Sequence, residues 1–386
     1  MKPIRPTAAF VSLDDIAHNL NAFRSLLPAE TELMAVVKAD AYGHGAVDVA
    51  RHVLSAGANR LAVAVVDEAI ELRRSQIGAP ILILGHTAPD MADLVARFGL
   101  SAAVMEPDFA LALSDAGVRN NRRVKVHLKV DTGMNRLGVR PHEAIGFAEF
   151  VNNLPALDLE GVFTHFASAD APDLTAARHQ LGRFLNVCEG LASRGLRLVR
   201  HAANTAAIIS LPESHLDMVR LGIGMYGLYP SRHMAGCLGL RPAMSLRSHI
   251  SMVKWIDDGE RVGYGGTFVA QGPRRIATVP VGYADGYSRQ MSNRGRAIVS
   301  GTVVPLVGMV CMDQLMLDVT EVDCRPYDEV TLLGSSANAA LSADDLADII
   351  GTINYEVTSS LGPRVPRIYM RKNREVAGRS LLGRWD

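Results

Sequence analysis

Neither sign of charge is in excess in this chain: Lys+Arg and Asp+Glu each number 40. That balance gives no footing to a nucleic-acid partner or an anionic membrane surface, both of which favour a basic face. Cysteine is scarce. Cys188, Cys237, Cys311 and Cys324 show no Cys-x-x-Cys spacing and no paired framework, and read as reduced thiols of a cytosolic protein. No apolar run is long enough to span a bilayer, and the opening Met1-Lys2-Pro3-Ile4-Arg5-Pro6-Thr7 lacks the apolar stretch of a signal peptide. A cytoplasmic protein without a metal site is expected. Internal repeats and low-complexity linkers are also absent.

What is present is an ordinary globular composition, 48% hydrophobic and 21% charged, in a chain of 386 residues, enough for about two domains. Up to about residue 228, short apolar runs alternate with helical patterns. Candidate strands are 33–37, 60–65, 81–84, 102–105, 124–130, 159–165, 198–202 and 217–221. Helices are expected at 16–27, 46–56, 67–75, 90–98, 144–153 and 174–194. Eight strands separated by helices predict a (β/α)8 barrel over residues 9–240. A doubly wound sheet is the runner-up, but no Gly-x-Gly-x-x-Gly follows the first strand. From about Arg241 the rhythm changes to strands with glycine turns, at 249–255, 275–281, 296–299, 303–310, 316–319 and 329–333, with one helix at 344–350. A mainly β domain over 241–386, joined by residues 1–8, is expected. The opening run 7–12 also reads as a strand, able to pair with either half.

Barrel chemistry gathers at the carboxyl ends of the strands. There the first strand ends in Lys38, at the head of Lys38-Ala39-Asp40-Ala41-Tyr42-Gly43-His44-Gly45. A lysine at the end of a buried strand either snorkels or does chemistry, because burial lowers an amine's pKa. Lys129 and Asp131 close the fifth strand, with Arg136 beyond, and His165 closes the sixth. Asn204-Thr205 follow the seventh, and Arg220-Leu221-Gly222-Ile223-Gly224 close the eighth. Alternation along strand five puts Val124, Val126 and Leu128 on one face and turns Lys129 into the barrel. A salt bridge to Asp131 or another carboxylate is the plain reading of Lys129. The loops after strands seven and eight commonly hold a phosphate, although Gly222 and Gly224 also suit simple packing.

A strand-end lysine, a phosphate loop and an arginine together suggest pyridoxal 5'-phosphate. Lys38 would join its aldehyde, and Arg220 would face its ring nitrogen. A guanidinium does not give up its proton, so the ring is a weaker electron sink than one facing an aspartate. That arrangement disfavours transamination and suits proton exchange at Cα.

These residues resemble the alanine racemases along nearly the whole chain. The motifs are Val37 to Gly45, Lys129-Val130-Asp131-Thr132-Gly133-Met134-Asn135-Arg136-Leu137-Gly138, Thr164-His165-Phe166 and Val219 to Ile223. Gly263-Tyr264-Gly265-Gly266-Thr267, Cys311-Met312-Asp313 and Ile353-Asn354-Tyr355-Glu356 extend them into the second half. The resemblance implies a pyridoxal-phosphate barrel with a β domain, a fold it shares with amino-acid decarboxylases. It also implies interconversion of L- and D-alanine, supplying D-alanine for peptidoglycan or consuming it. Two bases follow from it, Lys38 on one face of the cofactor and Tyr264 on the other, with His165 bonded to Tyr264 and Arg220 beyond. Tyr264 and Met312 would reach the site of the partner subunit, making a homodimer with shared active sites.

By the same resemblance, Tyr42, Asn204, Thr205, Gly222, Ile223 and Tyr355 surround the phosphate and ring. Arg136 and the Met312 backbone N–H hold the substrate carboxylate, with Asp313 in support. Lys129 matches a lysine carbamylated in many family members, an anion that would orient Arg136. Tyr283 and Tyr355 narrow the entrance, with Arg289 and Asp170 further out, so serine is a slow side substrate. Thr205 replaces the more common serine and keeps its hydroxyl, whereas Met309 stands where arginine is common and removes a cation from the entrance. Racemisation of another small amino acid such as serine, or a pyridoxal-phosphate-binding protein without turnover, are the alternatives.

Overall fold

The structure is a computed structural model that describes residues 5–385, so the expected place of residues 1–4 in the β domain lies outside the described residues. The chain divides into two compact units. One holds Ile16–Ala41 and Ala46–Arg241; the other holds the segment up to Asp15, Tyr42–Gly45 and the chain from Pro242 onward.

The opening strand, β1 (Ala8–Ser12), joins the second unit. It pairs antiparallel with Met244–His249 and parallel with Arg367–Arg371. The compact division therefore falls at Ile16, not at residue 9.

In the first unit, β2 (Glu32–Val36), β3 (Arg60–Val63), β4 (Ile81–Ile83), β5 (Ser101–Val104), β6 (Val124–Lys129), β7 (Leu157–Phe163), β8 (Val199–His201) and β9 (Met218–Leu221) follow in chain order. Among the described residues these form one eight-stranded sheet in the order β8-β7-β6-β5-β4-β3-β2-β9. Its ladders are parallel, and backbone bonds from Arg220 to Ala203 (3.0 Å) and from Asp217 to Arg200 (3.2 Å) bring the two end strands together. Strands such as β4 and β5 are buried along their whole length, as expected when helices cover one side of a sheet and packed side chains fill the other. This is the barrel, and the doubly wound alternative is set aside.

Local chemistry explains the shifted boundaries. The helix expected from residue 16 begins at Leu13 because the Ser12 hydroxyl accepts the Asp15 N–H (3.2 Å). The gap between β5 and β6, which none of the expected helix ranges covers, holds the helix Pro107–Arg119, which carries proline in its first turn, where the missing N–H costs nothing.

Among the described residues of the second unit, nine strands form its largest sheet. The strand expected at 249–255 is two strands, Met244–His249 and Met252–Ile256, which pair in different sheets. The run expected at 303–310 stops at Pro305, and Gly308 at φ +75° then turns the chain. The single expected helix, Ala343–Ile350, has a second beside it at Asn354–Ser359. Among the described residues no helix is long and apolar enough to cross a membrane, and no His, Cys, Asp or Glu group could hold a metal ion.

Candidate active site

Lys38 stands just beyond β2, half-buried, and the backbone behind it is unusual. Ala39, Asp40, Ala41 and Tyr42 all lie in the left-handed region, at φ +50°, +54°, +54° and +52°. Such residues cost about 1–2 kcal/mol each when they are not glycine. Named bonds hold the turn: Glu68 accepts the Ala39 N–H (2.7 Å), Val37 O accepts the Ala41 N–H (2.8 Å), and Asp40 accepts the Ala46 N–H (2.8 Å). Gly43 and Gly45 continue at positive φ, and a Cβ on either would overlap Thr358 or Tyr369. Sequence reasoning missed Glu68, whose carboxylate also accepts the Ala64 N–H at 2.7 Å. Its place at the third position of the helix Val66–Arg74 was the available signal.

The barrel brings Lys38, Lys129, Arg136, His165 and Arg220 into one electrostatic neighbourhood. Burial first, then the Arg136 charge, lowers the Lys38 amine below its ordinary value, while Glu68 opposes the shift. Lys129 points inward as alternation required, but the expected salt bridge is absent among the described residues. Its amine sits 4.4 Å from the centroid of the Phe163 ring. Asp131 instead accepts the backbone N–H groups of Gly133 and Asn135 (3.0 Å each). Burial, Arg220 and Arg136 hold the Lys129 amine well below its usual range, with Asp131 opposing. Arg136 is exposed and lines a cavity of about 290 Å³ with Asp131, Asn135 and Arg140.

Arg220 is buried and heavily engaged. Nη1 donates to His201 Nδ1 (2.9 Å) and His201 O (3.0 Å). Nη2 donates to Thr164 O (2.7 Å) and Ala202 O (2.9 Å), with His165 Nδ1 at 3.3 Å. Burial pushes the guanidinium down to about 9, which still leaves it charged at neutral pH. Its Nε–H has no acceptor among the described residues. His165 is held well below its usual value by burial and the Arg220, Lys129, Arg136 and Lys38 charges, so its ring is neutral.

At the ends of β8 and β9, the Thr205 hydroxyl accepts the Gly222 N–H (3.0 Å), tying the two expected phosphate loops together and leaving its own O–H free to donate. Asn204 Oδ1 is occupied as the cap of Thr205–Ser210, accepting the Ala207 N–H at 3.0 Å. Ile223 is buried and opens a short 3-10 turn.

The other expected residues belong to the β unit. The Tyr42 and Tyr355 rings lie 6.1 Å apart, centroid to centroid. Tyr264 is 74% exposed, Met312 52% and Tyr283 42%, unusual exposure for large side chains, and each sits in a short loop or turn of its own. Gly263 and Gly265, at φ +70° each, flank Tyr264 and let the loop project it. The Met312 segment is pinned by bonds from the Tyr283 N–H to Cys311 O (3.0 Å) and from the Ala284 N–H to Met312 O (3.1 Å). Asp313 accepts from Arg364 at 2.7 Å.

The family description "Alanine racemase, N-terminal domain" matches residues 11–230, and "Alanine racemase, C-terminal domain" matches residues 243–369. The chain is 44% identical over 386 residues to an alanine racemase of Clostridium tetani, covering 99% of this chain and all of that protein. It is similar in structure to the alanine racemase of Clostridium difficile 630, at TM-score 0.94 and 37% identity, with 98% of this chain and 99% of the other covered. The alanine racemase of Bacillus anthracis with bound L-Ala-P is likewise similar, at TM-score 0.94 and 36% identity, with 99% of each chain covered. The chain therefore belongs to the alanine racemase family.

Proposed function

We propose that this protein interconverts L- and D-alanine with pyridoxal 5'-phosphate, providing D-alanine for peptidoglycan or removing it. The observation that carries the reading is the donor set of the barrel mouth. Arg220 is fixed through both terminal nitrogens with Nε–H still to be used, the Thr205 hydroxyl is free to donate, and Lys38 stands at the end of β2 with a lowered amine pKa. Those groups fit a pyridine nitrogen, a phosphate and an aldehyde. When bound, the cofactor supplies the carbonyl for covalent attachment and a conjugated ring that withdraws electron density from Cα.

Lys38 anchors the cofactor and, once displaced by the substrate amine, moves a proton at Cα on one face. Tyr264 serves the other face. The neutral His165, accepting from Arg220 at Nδ1, carries its proton on Nε2 and supports the phenolic oxygen through it. Arg136, with the Met312 N–H, binds the carboxylate; Tyr42, Asn204, Gly222, Ile223 and Tyr355 enclose phosphate and ring, and Tyr283 narrows the approach. The exposed Tyr264 and Met312 support a homodimer in which each site uses both chains.

Lys129 without a carboxylate partner favours the neutral amine, the form that adds to carbon dioxide. Its nitrogen attacks the carbon, a proton leaves, and the resulting carbamate faces Arg136. The match over both domains speaks against a carrier without turnover, which would not use Tyr264 or Met312.

The test is exchange of the Cα hydrogen of both alanine enantiomers with deuterium, alongside borohydride reduction of the pyridoxal-phosphate-loaded protein. Exchange on both enantiomers and a label on the Lys38 peptide are expected; a label elsewhere overturns the assignment. Comparing kcat/KM for alanine and serine separates the two racemase readings.

A further inference from the structure

Behind Arg220 a chain of hydrogen bonds runs back through the barrel interior. Arg220 Nη1 lies 2.9 Å from His201 Nδ1, His201 Nε2 lies 2.8 Å from His127 Nδ1, and His127 Nε2 lies 3.1 Å from Glu160 Oε2. His201 and His127 are fully buried. Glu160 also pairs with Lys125 (2.6 Å) and Arg60 (2.8 Å), and Arg60 pairs with Glu32 (2.6 Å).

The protonation pattern of this chain follows from one fact: a guanidinium only donates. His201 Nδ1 must therefore accept, which puts its proton on Nε2. That N–H donates to His127 Nδ1, so His127 also carries its proton on Nε2 and donates to Glu160. Both rings are neutral, because burial and the surrounding cations outweigh Glu160. Reversing either ring would set an N–H against a donor.

The strand is shaped for this contact. In the β6–β7 register, Val126 pairs with Leu159 and His127 with Gly161, so Glu160 is an extra residue, a β-bulge. Bulges redirect a side chain out of strict alternation. A Cβ on Gly161 would overlap the His127 imidazole, so glycine there makes room for the ring. The Phe163 ring stacks on His201 at 4.8 Å and 6°, fixing its plane.

We propose that Glu160 is a positioning residue of the active site: through His127 and His201 it sets the direction of the hydrogen bonds that hold Arg220 in place, and so the aim of the guanidinium toward the cofactor ring and His165. The proposal rests on the functional reading above. Charge-assisted bonds are roughly twice as strong as neutral ones, which suits a carboxylate as the terminus.

Two measurements test it. The first is the nitrogen-15 NMR of histidine-labelled, cofactor-loaded parent protein, which reports tautomers without reference to activity. His127 and His201 should both be protonated at Nε2 alone; a proton on Nδ1 of either overturns the proposal. The second compares His127→Gln with His127→Leu. A glutamine accepts from His201 through its carbonyl and donates to Glu160 through its amide, preserving direction, whereas leucine fills space and carries no bond. Expected are cofactor affinity and kcat within about threefold of the parent for His127→Gln, and loss of about tenfold or more for His127→Leu, with a shifted pH profile. Equal behaviour of the two variants would make the chain mere packing and overturn the proposal. If leucine prevents folding, the tautomer measurement on the parent decides. A parent that leaves alanine untouched defeats the functional reading, while the tautomers still report on the hydrogen-bond chain.

Discussion

Glu68 Oε1 accepts the N–H of Ala39 at 2.7 Å, so a carboxylate from the next helix holds the residue that follows Lys38. The same carboxylate accepts the N–H groups of Ala64 (2.7 Å) and Val65 (3.3 Å). It thus ties the end of β3 to a left-handed turn that no glycine relieves at Ala39–Tyr42, and its charge supports the charged form of Lys38. Glu68→Ala should lower stability by about 2 kcal/mol, because several amides lose a charged acceptor. It should also move the pH dependence of pyridoxal-phosphate binding to lower pH, as the Lys38 amine loses its counter-charge. Denaturant midpoints and cofactor titrations across pH check both, and an unmoved binding profile would separate Glu68 from Lys38.

The buried amine of Lys129 predicts a response to carbon dioxide. Added bicarbonate should raise the activity of protein prepared in degassed buffer, and a small carboxylate should partly rescue Lys129→Ala by standing in for the carbamate near Arg136. Activity that ignores both additions would leave Lys129 an unmodified lysine.

Exposure of Tyr264 and Met312 on one unit, and of Arg136 on the other, predicts sites completed between subunits. Lys38→Ala and Tyr264→Phe proteins should each be crippled, yet subunit exchange between them should restore activity in heterodimers that hold one intact site. Activity that stays at the level of the separate variants, after exchange has been verified by mass, would place both bases in one chain.

His127, His165 and His201 all have their folded-state pKa lowered, mainly by burial. As pH falls, the unfolded chain takes up protons before the folded one. Stability is therefore full above the ordinary histidine value near about 6.5 and declines below it, by up to about 1.4 kcal/mol per pH unit for each ring that must charge. Denaturant unfolding at pH 7.5 and 5.5 should show the drop, reduced in His127→Gln. A flat profile would mean that these rings take up protons as readily in the folded state as in the unfolded chain.

The sequence carried what depends on local pattern and lost what depends on distant contacts. Alternation along β6 put Lys129 inside the barrel, and an apolar run ending at Lys38 marked a strand end. Nothing in Ala39-Asp40-Ala41 announces a left-handed turn, since its supports are Glu68 and Ala46. Alternation counted back from Phe163 would send Glu160 to the outer face, and only the bulge reverses that. The closing hairpin of strands Arg367–Arg371 and Arg374–Ser380 did have a local signal. Lys372 and Asn373, at φ +48° and +57°, make the two-residue turn that asparagine favours.

Gly282 offers a way to move the carboxylate-binding backbone without touching either proposed base. A Cβ there would overlap the carbonyl oxygens of both Cys311 and Met312, whose positions are otherwise set by the Tyr283 and Ala284 N–H groups. Backbone atoms yield less easily than the tip of a flexible side chain, so Gly282→Ala must push the Met312 loop segment outward. The Met312 N–H would then leave the position proposed for the alanine carboxylate, while Lys38, Arg220 and the phosphate loops stay as they are. The expected result is a KM for alanine raised about tenfold, the loss of one charge-assisted bond, with pyridoxal-phosphate binding and its attachment to Lys38 unchanged. A variant that binds alanine as tightly as the parent would remove Met312 from substrate recognition and leave Arg136 to hold the carboxylate alone.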